Sequence, residues 1–195
     1  MLSILQRYNS LEKINKLASC FLNKKETVLD FGCGDLSFAK AFKKKRSSVE
    51  ITVVDVVDFH NRDKKVTFVH YDGKKLPFKN KSFDTVIAFH VLHHTTDAKK
   101  YFKELVRVAK KRILLVESVA RTPLDFPGMR FMDWVFNIWK PEKVPMTYQF
   151  FSRQEWYKEY KKAKVEIISE TDAEIAPIPS FFPTGRSTLF ELKKR

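Results

Sequence analysis

Val28-Leu29-Asp30-Phe31-Gly32-Cys33-Gly34-Asp35-Leu36-Ser37 is the stretch that decides the fold. A short apolar run ends in two glycines, and residues 37–45 then place Phe38, Ala41 and Phe42 at helical spacing. This order predicts a strand that turns sharply into a helix, with glycines where the backbone turns and passes close to a ligand. The rhythm repeats downstream. Residues 51–54, 66–69, 83–89 and 113–116 read as further strands, and a helix over about residues 97–110 buries Tyr101, Phe102, Leu105 and Val108. Continuous apolar, β-branched runs alternating with helices predict a parallel sheet covered on both faces. About ten residues separate Asp55 from Val66, close to the minimum for a parallel crossover, so the helix there is very short or absent. Upstream, Leu11, Ile14, Leu17, Ala18, Phe21 and Leu22 predict an amphipathic helix near residues 10–23.

After Glu117 the pattern changes. Residues 121–163 are rich in aromatics and proline, hold all three tryptophans, and read as two or three helical pieces. Residues 165–168 and 187–192 then predict two last strands paired as an antiparallel edge. The expected architecture is α/β: a doubly wound sheet of about seven strands, mostly parallel with an antiparallel last strand, plus a helical cap inserted after strand 5.

The 195 residues suffice for one core, and no apolar run approaches the ~18 to 20 residues of a membrane span. The first seven residues reach Gln6 and Arg7 too soon for a signal peptide or anchor. Cys20 and Cys33 are the only cysteines and form no CxxC pair, which points to a reducing cytoplasm and away from structural zinc. A net charge of +14 raises the question of nucleic acid. The cations, however, fall in short clusters where helices should end, such as Lys43 to Arg46 and Lys110 to Arg112, and read as a solvated surface.

Three features converge on one sheet edge. Gly32 and Gly34 follow the first strand. Asp55 ends the second, where a carboxylate can accept both hydroxyls of a ribose, and Asp72-Gly73 follows the third, near an adenine amino group. A dinucleotide site is disfavoured, because Ser37 stands where G-x-G-x-x-G wants its third glycine and Asp35 would crowd a pyrophosphate.

Residues 28–34 resemble motif I of class I S-adenosylmethionine-dependent methyltransferases. The similarity continues through Asp55, through Tyr71 to Phe78, and through Ser82 to Val86 leading to Val91-Leu92-His93-His94. This ordered set resembles the type 11 group, which includes many small-molecule methyltransferases, over roughly residues 25–120; the run Arg130 to Asn137 resembles uncharacterised relatives of that group. The resemblance implies a Rossmann-like fold. It also implies S-adenosylmethionine as cofactor and S-adenosylhomocysteine as product. By it, Asp30 orients the loop and the methionine end, Gly32 and Gly34 line that end, Asp55 holds the ribose and Asp72 holds adenine, with Cys33, Val56, Gly73, Phe89 and His90 as further cofactor-binding candidates. The chain divides accordingly into an N-terminal helical region (1–24), a cofactor-binding core (25–120), the cap (121–163) and the final strands (164–195), all within a single domain 1–195. One departure stands out: the family has a further glycine where this chain has Leu36, a side chain expected to narrow the pocket or shift the loop.

Methyl transfer is an in-line displacement, so alignment in a dry cavity supplies much of the rate, and a base is needed when the acceptor must lose a proton. His90, directly off the fourth strand, is the candidate base, with Asp133 a second catalytic candidate; His93 and His94 read as packing and hydrogen-bonding residues at a helix start. No metal is expected, since His90, His93 and His94 lack a carboxylate at familiar spacing. On a cap helix Arg130, Asp133, Trp134 and Asn137 share one face, and with His94 and Tyr148 they are the candidate substrate contacts. Trp156 follows them. Phe131, Val135, Ile138 and Trp139 read as packing positions, and Tyr8 is expected near the cofactor. The expected partner is a small-molecule acceptor. A nucleic-acid methyltransferase is less favoured, because neither an Asn-Pro-Pro-Tyr motif nor a Pro-Cys nucleophile occurs. The remaining alternative is a non-catalytic binding protein of the same fold.

Overall fold

The computed structural model describes residues 25–58, 63–138, 146–173 and 185–195. The expected N-terminal helix, Tyr8, Trp139 and the middle of the 56–66 crossover lie outside the described residues.

Strand β1 (Thr27–Phe31) leads through the glycine turn into helix α1 (Ser37–Lys45). Then come β2 (Glu50–Asp55), β3 (Thr67–His70) and β4 (Phe83–Phe89). A 3-10 turn (Leu92–His94) precedes α2 (Ala98–Val108) and the long strand β5 (Ala109–Ala120). The cap region contributes α3 (Asp125–Asn137), a two-residue strand β6 (Phe151–Ser152) and α4 (Arg153–Lys162). Strands β7 (Val165–Ala173) and β8 (Arg186–Lys194) complete the sheet.

The sheet runs β3-β2-β1-β4-β5-β8-β7. Strands β1 to β5 are mutually parallel, and β8 lies antiparallel between β5 and β7. This is the doubly wound, mostly parallel sheet with an antiparallel C-terminal pair that the sequence predicts. Alternation along each strand explains why both faces are dry. Val28, Ile51, Val53, Ile87 and Leu114 pack with Ala39 and Phe42 of α1, while Leu29, Val54, Val86, Ile113 and Leu115 pack with Phe102 and Leu105 of α2 and Trp156 and Tyr160 of α4. Trp156 is therefore a core residue, sandwiched between Phe102, Phe151 and Tyr160, and does not belong to the cap's pocket side.

Among the described residues the sheet has eight strands, the short β6 being added to the seven or so expected. Strand β4 ends at Phe89 while β5 runs on to Ala120, and β6 takes the vacated place by pairing Phe151 with Val119 and Ser152 with Ala120. That pairing anchors the far end of the cap above the tip of β4. A capping box then starts α4, with Ser152 Oγ accepting from the Glu155 amide and Glu155 Oε2 accepting from the Ser152 amide at 2.8 Å.

Candidate functional site

The strand order reverses between β1 and β4, and in open parallel sheets the crevice at the carboxyl ends of such a pair is where ligands bind. Gly32 and Gly34 follow one of these strands and His90 follows the other. Gly32 has φ +72°, and its amide donates to Val54 O at 2.8 Å, tying the turn to β2. A side chain at Gly32 would run into Val91. At Gly34, φ +52°, a Cβ would meet nothing within 4 Å, so the backbone there borders open space. The Gly34 amide donates to Asp55 Oδ2 at 2.9 Å, and Asp55 Oδ1 accepts from the Val57 amide at 3.0 Å. The acid at the tip of β2 thus holds the turn after β1.

Leu36 corrects the expectation that its side chain narrows the pocket or shifts the loop. Its backbone takes φ +65°, the left-handed conformation that a glycine would supply there, and its side chain is buried with Val28, Ala39 and Phe42 beneath the turn. Cys33 also turns into this core, where burial and the nearby Asp30 and Asp55 push its thiol pKa well up; only its backbone borders the turn. Asp35 caps the start of α1 through the Ser37 amide and hydroxyl.

Asp30 is 2% exposed and its Oδ2 has no hydrogen-bond partner. Burial, reinforced by the charge of Asp55, lifts its pKa to about 7. An orphaned acid of this kind, four residues before a glycine bordering open space, suits a ligand that brings positive charge. The next two strand tips meet one another: Val56 is exposed and lies against Gly73, whose carbonyl accepts from Tyr101 Oη, while Asp72 is solvent-facing and accepts from the Lys74 amide at 3.0 Å. Phe89 stacks on Phe38 at 5.5 Å, closing the α1 side.

His90 has φ +48° and keeps its amide on Val116 O at 2.8 Å, while Nε2 shares a 3.0 Å hydrogen bond with the buried Ser187 Oγ of β8. His93 and His94 lie in the 3-10 turn, so the three histidines do not share one helix. Glu117, 1% exposed, organises this turn: Oε1 accepts from the Val91 and Leu92 amides at 3.0 and 2.7 Å, and Oε2 lies 2.6 Å from His93 Nδ1. Burial alone would lower the imidazole pKa of His93, but the carboxylates of Glu117 and Asp133 outweigh it and lift it to about 9. Phe150 stacks on His93 with ring centroids 4.9 Å apart.

The cap helix presents its residues differently from the expected face. Asp133 and Asn137 turn inward, Asn137 Nδ2 donating to Asp133 Oδ1 at 2.8 Å, and Asp133 Oδ1 lies 3.6 Å from His93 Nε2 and 3.5 Å from His94 Nε2. Arg130 and Trp134 are exposed, as are Phe131 and Ile138, two positions expected to pack. The helix sits at an angle that seats Met129 on Phe150 and Ala120 and turns the 131–134–138 stripe outward. Tyr148, half-buried at φ +54°, lies 6.5 Å from the Phe150 ring and donates to Met146 Sδ. The structure therefore brings His90, His93, His94, Asp133 and Asn137 to one side of the crevice. Carboxylates do stand beside the histidines: Glu117 and Asp133 arrive from strand and cap positions distant in sequence, which is why local spacing missed them. Glu117 left one sequence signal, an acid directly after a buried apolar run; Ser187 left none.

A sheet of this order, with its glycine turn at the switch point and an antiparallel C-terminal pair, is the fold of the class I methyltransferases. Residues 29–116 match the family model described as a methyltransferase domain. Ajmaline N-methyltransferase of Rauvolfia serpentina is 28% identical over 131 residues, 57% of this chain and 45% of the relative. Demethylmenaquinone methyltransferase of Thermotoga maritima is 27% identical over 123 residues, 60% of this chain and 53% of the relative. The chain thus matches about half the length of these two curated relatives. In fold it is similar to magnesium protoporphyrin IX methyltransferase of Synechocystis, solved with bound SAH, with a TM-score of 0.70 at 15% identity over 100% of this chain and 88% of that one.

Proposed function

We propose that this chain is an S-adenosylmethionine-dependent methyltransferase acting on a small-molecule acceptor. The observation that carries the reading is Asp30, a buried carboxylate at the switch point whose Oδ2 lacks a partner. The cofactor carries a sulfonium and an ammonium group and no phosphate, which suits an acid-rich crevice. When bound, it supplies an electrophilic methyl carbon. Asp30 faces its positive end, Gly34 leaves room for close backbone approach, and Asp55, already aligned by the Gly34 and Val57 amides, retains lone pairs for ribose hydroxyls. Val56 and the Asp72-Gly73 turn border the base.

On the acceptor side, His90 is oriented by Ser187 and can take a proton at the tip of β4. Phe150, Tyr148 and the inner face of α3 border the same side, and a water-poor acceptor site there would favour attack by the acceptor over attack by water. The relatives' names support a small acceptor: ajmaline, demethylmenaquinone and magnesium protoporphyrin IX.

The test is to incubate the chain with methyl-labelled S-adenosylmethionine and, separately, with small-molecule and RNA fractions of a cell extract. Label entering the small-molecule fraction, and lost with Asp55→Ala, is expected. Label in RNA, or none in either fraction, would overturn the reading.

A further inference from the structure

The histidine turn and the cap helix build a second constellation that the cofactor reading does not use. We infer that His93, His94 and Asp133 form a site for a divalent transition-metal ion of the zinc class, with Glu117 holding His93 from behind.

Four observations carry this. First, Nε2 of His93 and Nε2 of His94 converge on the same oxygen, Asp133 Oδ1, at 3.6 and 3.5 Å. Those separations exceed the ~2.7 to 3.2 Å of an N–H···O hydrogen bond. They are close to the roughly 3.4 Å between neighbouring ligand atoms on a tetrahedral ion with legs of about 2.0 to 2.1 Å. The three ligand atoms all lie within 4.8 Å of one another.

Second, the 2.6 Å contact between His93 Nδ1 and Glu117 Oε2 fixes the ring so that Nε2 faces Asp133. A ligating histidine almost always donates its other ring N–H to a carboxylate or carbonyl in this way, which sets the tautomer and raises ligand basicity. Third, Asp133 Oδ2 and Asn137 Oδ1 are buried without hydrogen-bond partners, while Asn137 Nδ2 holds Asp133 Oδ1 in place. Polar atoms left orphaned in a nine-tenths buried setting are costly, and a cation or a water on it satisfies them. Fourth, the charges balance: two neutral imidazoles with Asp133 and Glu117 offset a dication.

The alternative grouping of His90, His93 and Glu117 is disfavoured, because His93 and Glu117 already bond each other directly. Three protein ligands leave a fourth position open, for water or for a heteroatom of the acceptor.

The test titrates Co2+ into the whole chain after dialysis against EDTA, following the visible bands of a four-coordinate ion, and then displaces it with Zn2+. One equivalent is expected to bind. Asp133→Asn and His94→Ala should weaken binding at least tenfold, Glu117→Gln by ~10 to 100-fold, and His70→Ala, at the far edge of the sheet, not at all. A wild-type chain that binds neither ion, or binding unchanged in both Asp133→Asn and His94→Ala, would overturn the site. The wild-type titration decides even if a variant fails to fold. S-adenosylhomocysteine affinity measured on the same wild-type sample separates failure here from failure of the cofactor reading.

Discussion

Asp55 Oδ2 accepts the Gly34 amide at 2.9 Å, so the acid at the tip of β2 and the turn after β1 form one unit. Replacing Asp55 with Ala removes both the acceptor for that amide and the carboxylate proposed to hold the ribose. S-adenosylhomocysteine affinity, read by calorimetry, should fall by at least tenfold, while Asp55→Asn, which keeps one acceptor oxygen, should fall between Ala and wild type. Equal affinities in all three chains would contradict the assignment.

The two glycines of the turn should separate in their effects. Alanine at Gly32 meets Val91 as well as an unfavourable φ, and should destabilise by about 2 to 4 kcal/mol. Alanine at Gly34 meets open space and should cost only about 1 kcal/mol from its φ, yet impair cofactor binding. Thermal melts paired with ligand titrations read both.

Asp30 gives a pH dependence. Its folded pKa of about 7 lies above the ordinary 3.8, so its contribution to stability is present in full below pH 3.8 and is lost as pH rises through 7. A cationic ligand pulls that pKa down, so binding near pH 7 should release a proton. Calorimetry in buffers of different ionisation enthalpy should detect the release in the wild type and find it missing in Asp30→Asn.

His93 behaves in the same direction for the opposite charge. Its pKa of about 9, above the ordinary 6.5, means that the stabilisation of its cation by Glu117 and Asp133 is complete below pH 6.5 and lost as pH rises through 9. In EDTA, unfolding free energy should decline across that window. Glu117→Gln should lower the His93 pKa measured by NMR and cost about 3 to 5 kcal/mol, because a buried pair loses one partner.

Much of the fold could be read from alternation alone: the runs at Val28, Ile51, Phe83 and Ile113 became neighbouring strands because β-branched residues buried on both faces leave few other options. The length of β5 was less legible, since its opening residues, Lys110 to Arg112, are charged, and its last residues, Ser118 to Ala120, belong to the pairing with β6 and β8. Asp30, Gly34 and Asp55 were visible because they lie at or just past the ends of β1 and β2. The Glu117–His93–Asp133 line was not, because its members come from a strand, a 3-10 turn and a cap helix that only the folded chain brings together. The inward turn of Asp133 in place of Trp134 depended on the seat of α3 over Phe150, which no local pattern records.

The most direct measurement of the central claim is calorimetric titration of the whole chain with S-adenosylhomocysteine at pH 7. Saturable binding of one equivalent, abolished or strongly weakened by Asp55→Ala, is the predicted result; no heat of binding at millimolar ligand from a chain shown to be folded would contradict it.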